Sequence, residues 1–176
     1  MAPSSTPSAA SASDERLRGE LLAARDARQA LLDRLLAGGA PALVMLSLAI
    51  PGPEKRPPGA APLFAWAAAR IPETLPGARE CHRGEDPLGP FAIWATPHDP
   101  REAKLRCTLL EASRPAARLL DLDVYSPSRG AIDRASLLLP PRPCLCCPAP
   151  ARECIRLGRH GPAALAAHAR ALLLGP

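Results

Sequence analysis

Leu119-Leu120-Asp121-Leu122-Asp123-Val124 is the segment that most narrows what this chain can fold into. Apolar and acidic residues alternate through residues 119–125, and period two belongs to a β-strand. Leu120, Leu122 and Val124 then face a core, while Asp121 and Asp123 share the opposite face. Two carboxylates so placed repel unless a cation lies between them. Magnesium (Mg²⁺) is typically bound by one or two carboxylates together with substrate phosphates. Such an ion bridges and neutralises phosphate oxygens, leaving the protein to position the reactants. The plainer alternative is a solvated strand face carrying two ordinary acids, and the pair taken alone leaves both readings open.

The flanking sequence predicts what the strand pairs with. Asp14 and Glu15 after Ser13 suit a helix start, and leucines at roughly 3.6 spacing carry that helix to Leu36, where Gly38-Gly39 stops it. Residues 1–12 have no means of burying surface and are expected to be disordered. The continuous apolar run 42–50 reads as a buried strand ended by Pro51-Gly52-Pro53, a rigid loop before Lys55. A helix is expected at 63–70, a polar loop at 79–89 and a second strand at 91–96. Asp99-Pro100-Arg101-Glu102 has the form of a helix N-terminus, with Asp as cap and Pro in the first position; this helix should run to Glu111. After the acidic strand, 126–130 turns the chain into another strand near 131–139. A cysteine-rich segment and a C-terminal helix from Pro162 follow. The sum is an α+β fold, a small, mostly antiparallel sheet flanked by helices, in a single domain over residues 13–176.

Composition narrows the setting. A chain of 176 residues can bury a real core as one domain. The longest apolar run, 41–51, falls short of the roughly 18 residues of a membrane span. The N-terminal Ala-Ser-Pro stretch lacks the basic and apolar regions of a secretory signal, which predicts cytoplasmic residence. The net charge is +5, and lysine occurs only at Lys55 and Lys104, the other cations being arginine. Arginine pairs bidentately with phosphate, so this surface suits a polyphosphate, an acidic protein or nucleic acid; a genome biased toward Arg, Ala and Pro codons gives the same numbers. Aromatics are only 3% of the chain, which argues against a stacking surface for single-stranded nucleic acid.

Four of the six cysteines lie within residues 144–154. Cys144, Cys147, Cys154 and His160 have the spacing C-x2-C-x6-C-x5-H, four ligands suited to tetrahedral zinc. Four protein ligands leave no open position, so such a zinc would be structural. The alternative is reduced cysteines packed as small hydrophobes. Cys146 is a spare thiol, or the true ligand in place of a neighbour if the register differs, and Cys81 and Cys107 are expected to be interior residues.

Around the acidic pair, Glu111, Arg114 and Arg118 precede it and Asp133 follows on the next expected strand. Asp133 or Glu111 is a candidate third metal ligand or base; His98 is expected to be a solvated loop histidine. A D-x-D strand after a short loop, with an acid on a neighbouring strand, resembles the nucleotidyltransferase superfamily typified by DNA polymerase beta. The Gly-Ser loop of that superfamily is replaced here by Ser113-Arg114-Pro115-Ala116-Ala117-Arg118.

A more specific resemblance rests on four segments in order. They are Arg25-Asp26-Ala27-Arg28-Gln29; residues 43–55 ending in Pro51-Gly52-Pro53-Glu54-Lys55; residues 118–124; and residues 139–147 with the later Cys154 and His160. Together they resemble the apo-citrate lyase phosphoribosyl-dephospho-CoA transferases. The resemblance implies an enzyme that attaches the prosthetic group of citrate lyase to its acyl carrier (gamma) subunit. The donor it implies is 2'-(5''-triphosphoribosyl)-3'-dephospho-CoA. A carrier serine attacks the phosphate nearest the ribose, and diphosphate leaves. On this footing Asp121 and Asp123 bind Mg²⁺ against the triphosphate, and Arg118 and Lys55 contact its oxygens. Arg25 and Arg28 form a second basic site for the donor or for an acidic carrier surface; a plain surface charge is the alternative for each of these four cations. The family's H-P-L-G-R is replaced by Arg114-Pro115-Ala116-Ala117-Arg118, without its His and Gly. Two further readings are the analogous transferase for malonate decarboxylase and a basic, zinc-stapled nucleic-acid-binding module. The latter leaves the D-x-D unexplained.

Overall fold

A computed structural model of the chain describes residues 9–175. Its centre is β1 (Ala42–Leu48), every residue of which is buried, as expected of an apolar run covered on both faces. It pairs antiparallel with β3 (Gly89–Thr96) on one side and β4 (Leu120–Ser126) on the other. With β2 (Arg79–Asp86) and β5 (Gly130–Ala131) this makes a five-stranded antiparallel sheet in the order β2-β3-β1-β4-β5.

The larger core lies on one face. Val44, Leu46, Trp94, Leu120, Leu122 and Val124 pack there against α2 (Ala60–Thr74) and α3 (Pro100–Glu111). Asp99 caps α3, its Oδ1 accepting from Arg101 N at 2.9 Å and Glu102 N at 3.3 Å; such a cap is worth about 1 kcal/mol. The opposite face is only partly covered. Leu32 of α1 (Ala9–Leu36) packs on Leu43, Met45, Phe91 and Ile93. Beyond Met45 the same face carries Ser47, Asp121 and Asp123, the first two directly paired across the strands. The apolar helix face ends where the acidic strand face begins, and a cleft opens there.

Several elements differ from expectation. The α1 helix begins at Ala9 rather than Ser13, so part of the segment expected to be disordered is helical; residues 1–8 lie outside the described residues. Residues expected to loop at 79–89 instead form β2, a mostly exposed edge strand. Its charged side chains carry no apolar alternation to read, and charge on an edge strand guards against strand addition. The strand expected at 131–139 stops after Ala131. Asp133 Oδ1 accepts from Ser136 N at 2.8 Å and starts a 3-10 turn, Ala135–Leu137, a local bond that competes with the sheet. Within the cysteine segment lies an unforeseen helix, α4 (Ala151–Leu157). The C-terminal α5 (Pro162–Leu174) starts where expected.

Because β5 pairs only with Tyr125 and Ser126, the outer edge of β4 has no strand beside the acidic pair. Side chains take that place. Glu111 Oε1 accepts from Leu122 N at 3.0 Å, and Lys104 Nζ donates to Leu122 O at 2.7 Å. Arg142 donates to Leu120 O. Lys104 and Glu111 are buried, and Glu111 Oε2 accepts from Arg134 at 2.9 Å. Buried backbone groups and buried charges both need partners, and each set here supplies the other.

Candidate active site

The cleft has a volume of about 420 Å³ and is lined by Arg25, Arg28, Ser47, Lys55, Asp121 and Asp123, among others. Five of the residues singled out in the sequence therefore meet in one place. On α1, Arg25 and Arg28 stand one turn apart and look toward the sheet. The loop after β1 turns at Gly52, whose φ of 89° favours glycine. It brings Lys55 back so that Nζ donates to Ile50 O at 2.8 Å. Burial, and then the charge of Arg25, hold the Lys55 ammonium below its ordinary pKa. An anion in the cleft would relieve that repulsion.

Asp121 and Asp123 each keep 41% of their side-chain surface exposed, so both remain open to a ligand. Asp121 Oδ1 accepts from Arg142 Nη1 at 3.1 Å. Asp123 Oδ1 lies 3.8 Å from Lys104 Nζ. Burial, and then the neighbouring Asp121 carboxylate, push Asp123 up to about 6. The residues fit a hard divalent cation: two oxygen donors on one strand face, with electrostatic strain that a positive ion would relieve. A Mg²⁺ ion held there would supply charge neutralisation for phosphate oxygens.

The two α1 arginines are not equivalent. Arg28 donates to both oxygens of Asp86 at 2.7 and 2.8 Å and to Gly89 O at 2.9 Å, with its guanidinium 4.2 Å from the Phe91 ring centre. It ties α1 to the β2–β3 hairpin, and its charge is balanced by Asp86. Arg25 is exposed and forms no ion pair among the described residues.

Arg118 is not in the cleft. Its Nη2 donates to Cys144 O at 2.6 Å, and it lines a neighbouring groove. Glu111 has both oxygens committed at the β4 edge. Asp133 lines a second hollow of about 270 Å³ on the other side of the aspartates. His98 lies elsewhere, with Nε2 3.2 Å from Pro76 O and Nδ1 3.5 Å from Glu102.

Sequence reasoning missed Lys104 and Arg142. Both had a signal: Lys104 is one of two lysines in an arginine-rich chain, and the other is Lys55. Arg142 sits inside the Leu139–Cys147 motif, two residues before Cys144.

The ligand atoms of Cys144, Cys147, Cys154 and His160 all lie within 4.8 Å of one another. Cys147 Sγ is 3.5 Å from Cys154 Sγ and 3.3 Å from His160 Nε2. This cluster could hold a metal, and its donor set is that of a closed tetrahedral site. Cys146 stands outside it. Cys107 is buried as expected, burial pushing its thiol up to about 12. Cys81, expected inside, is exposed because its segment is the edge strand β2.

A sequence profile described as apo-citrate lyase phosphoribosyl-dephospho-CoA transferase matches residues 17–174. The chain is 32% identical over 158 residues to the protein of that name from Citrobacter koseri, covering 88% of this chain and 86% of the relative. Identity to the proteins of that name from Escherichia coli O1:K1 and Shigella flexneri serotype 5b is 33% over 145 residues, or 80% of this chain and 79% of each relative. The matched stretch includes every residue of the cleft and the whole cysteine cluster. This chain belongs to the apo-citrate lyase phosphoribosyl-dephospho-CoA transferase family.

Proposed function

We propose that the protein transfers the phosphoribosyl-dephospho-CoA group from its triphosphoribosyl precursor to a serine of the apo-citrate lyase acyl carrier (gamma) subunit, releasing diphosphate. The carrying observation is the convergence of Asp121, Asp123, Lys55 and Arg25 in one cleft. Family membership supports the same reading, since the relatives' name states both the acceptor enzyme and the group moved.

Residue roles follow from charge and position. Asp121 and Asp123 would hold Mg²⁺, which would supply charge neutralisation for the phosphate oxygens. Lys55 and Arg25 face the same space and stabilise charge that builds on the departing diphosphate, where preorganised cations act most strongly. Arg28 sets the position of α1, and so of Arg25, through Asp86. The serine Oγ forms a new bond to the phosphorus nearest the ribose as that phosphorus loses its bridging oxygen to diphosphate, and the hydroxyl proton is released to solvent. The arrangement is nucleotidyltransferase-like: an acidic strand pair in a small antiparallel sheet. Residues 13–176 act as one domain in the cytoplasm, and structural zinc on Cys144, Cys147, Cys154 and His160 staples the segment after the sheet. No helix among the described residues is long and apolar enough to cross a membrane.

The test is direct. The protein is incubated with apo carrier subunit, the triphosphoribosyl donor and Mg²⁺, and carrier mass and diphosphate are followed. A mass gain of one phosphoribosyl-dephospho-CoA with equimolar diphosphate is expected. Folded protein that leaves the carrier mass unchanged would overturn the assignment.

A further inference from the structure

Beside the cleft runs a groove of about 500 Å³ with a different character. Its walls are largely apolar, including Pro51, Pro143, Leu145, Ile155 and Leu165. It meets the cleft at Ala49, which lines both, and its own lining includes Arg142, which bonds Asp121. Arg118 also lines it. One Arg118 nitrogen is held by Cys144 O, while its Nε and Nη1 have no hydrogen-bond acceptor among the described residues. Ile155 stands at the groove with 78% of its surface exposed, an apolar side chain with little protein against it.

We infer that this groove holds the dephospho-CoA portion of the donor, with Arg118 against its diphosphate. The inference rests on the transferase reading and deepens it. A phosphoribosyl-dephospho-CoA donor has two unlike ends. The polyphosphate end suits the cleft, where cations and carboxylates meet. The other end carries a flat base and a long arm of methyl and methylene groups interrupted by two amides, joined through a diphosphate, which suits mainly apolar walls with a guanidinium beside them. The groove offers that combination, next to Asp121. Its size falls in the ordinary range for ligand pockets, roughly 300–1,000 Å³. It also gives Arg118 a place in the reaction away from the triphosphate.

The probe is dephospho-CoA itself, titrated calorimetrically into the full chain. The variants are Ile155→Asp, Arg118→Met and Asp121→Asn, with magnesium tripolyphosphate as a second titrant for the cleft. Ile155→Asp and Arg118→Met are each expected to weaken dephospho-CoA at least tenfold, with Ile155→Asp leaving tripolyphosphate within twofold of the parent. Asp121→Asn should do the reverse. Ile155 is exposed, so its substitution leaves folding intact even where Arg118→Met does not. Unchanged dephospho-CoA affinity in Ile155→Asp overturns the proposal, as does failure of the parent protein to bind it. Loss of dephospho-CoA binding in Asp121→Asn alone moves the ligand to the cleft and also overturns it. If Ile155→Asp instead loses only the apo carrier subunit, the groove is a protein-docking surface and the proposal falls. Failure of the transferase reading shows separately, as an unmodified carrier in the mass assay.

Discussion

Arg142, in the stretch that leads into the cysteine cluster, bonds Asp121. Its Nη1 donates to Oδ1 at 3.1 Å, while Nη2 reaches the backbone carbonyls of Arg118, at 2.8 Å, and Leu120. Cys144, two residues further on, accepts from Arg118 in return. The cysteine cluster and the acidic strand are thus joined by two crossed arginines.

Arg142→Ala should therefore act on stability as well as chemistry. It leaves two carbonyls without their donor and Asp121 without its counter-charge. A loss of about 1–3 kcal/mol is expected, read as a lower urea midpoint with unchanged slope. Arg142→Lys should recover little, because an ammonium cannot serve three acceptors spread along one fork.

Asp121→Asn and Asp123→Asn should each lower transfer by about a hundredfold or more, the scale of losing one preorganised electrostatic group. Mg²⁺ affinity, measured by calorimetry with tripolyphosphate present, should fall in both. Both should remain folded by circular dichroism, since each carboxylate is substantially exposed. Retained transfer in either variant would remove that residue from the metal site.

The pH response has a definite sign. With Asp123 at about 6 in the folded chain and about 4 when unfolded, the native state holds a proton that the unfolded state has released across that window. Its contribution to stability is full below pH 4 and is lost as pH rises toward and past 6. Metal-free protein should therefore lose stability, relative to Asp123→Asn, between those values in a series of thermal unfolding curves. Mg²⁺ requires the ionised carboxylate, so its affinity should weaken as pH falls below about 6.

Metal analysis after dialysis should find one zinc per chain. Cys147→Ser should abolish it and Cys146→Ser should not. A strong chelator should lower the melting temperature, because binding free energy at such a site is folding free energy.

The residues of the cleft were legible because each sat in a pattern with a physical meaning. Asp121 and Asp123 shared a strand face, Arg25 and Arg28 a helix face, and Lys55 followed a proline-glycine turn. The core strands and the Asp99 cap were readable for the same reason. The edge strand β2 was not, since a polar strand on the rim of a sheet has no apolar face to report itself. Asp133 looked like a strand acid, but its side chain turns back to its own backbone. Arg28 and Glu111 show a different limit: residue type suggested ligands, while their hydrogen bonds go to Asp86 and Gly89, and to Leu122 and Arg134. Which partner a long charged side chain finds depends on contacts far away in the chain.

The side-chain seal along β4 has one more consequence. A sixth strand in that position would have covered the hollow formed by Lys104, Asp133 and Arg134, leaving the aspartates approachable from one direction only. Three side chains satisfy the same backbone groups with far less bulk, so the carboxylates border open space on both sides. Displacement at phosphorus sends the leaving group out opposite the incoming oxygen. On the proposed transfer, a strand with two open flanks gives an entrance and a separate exit, so that leaving diphosphate and incoming serine need not share one doorway.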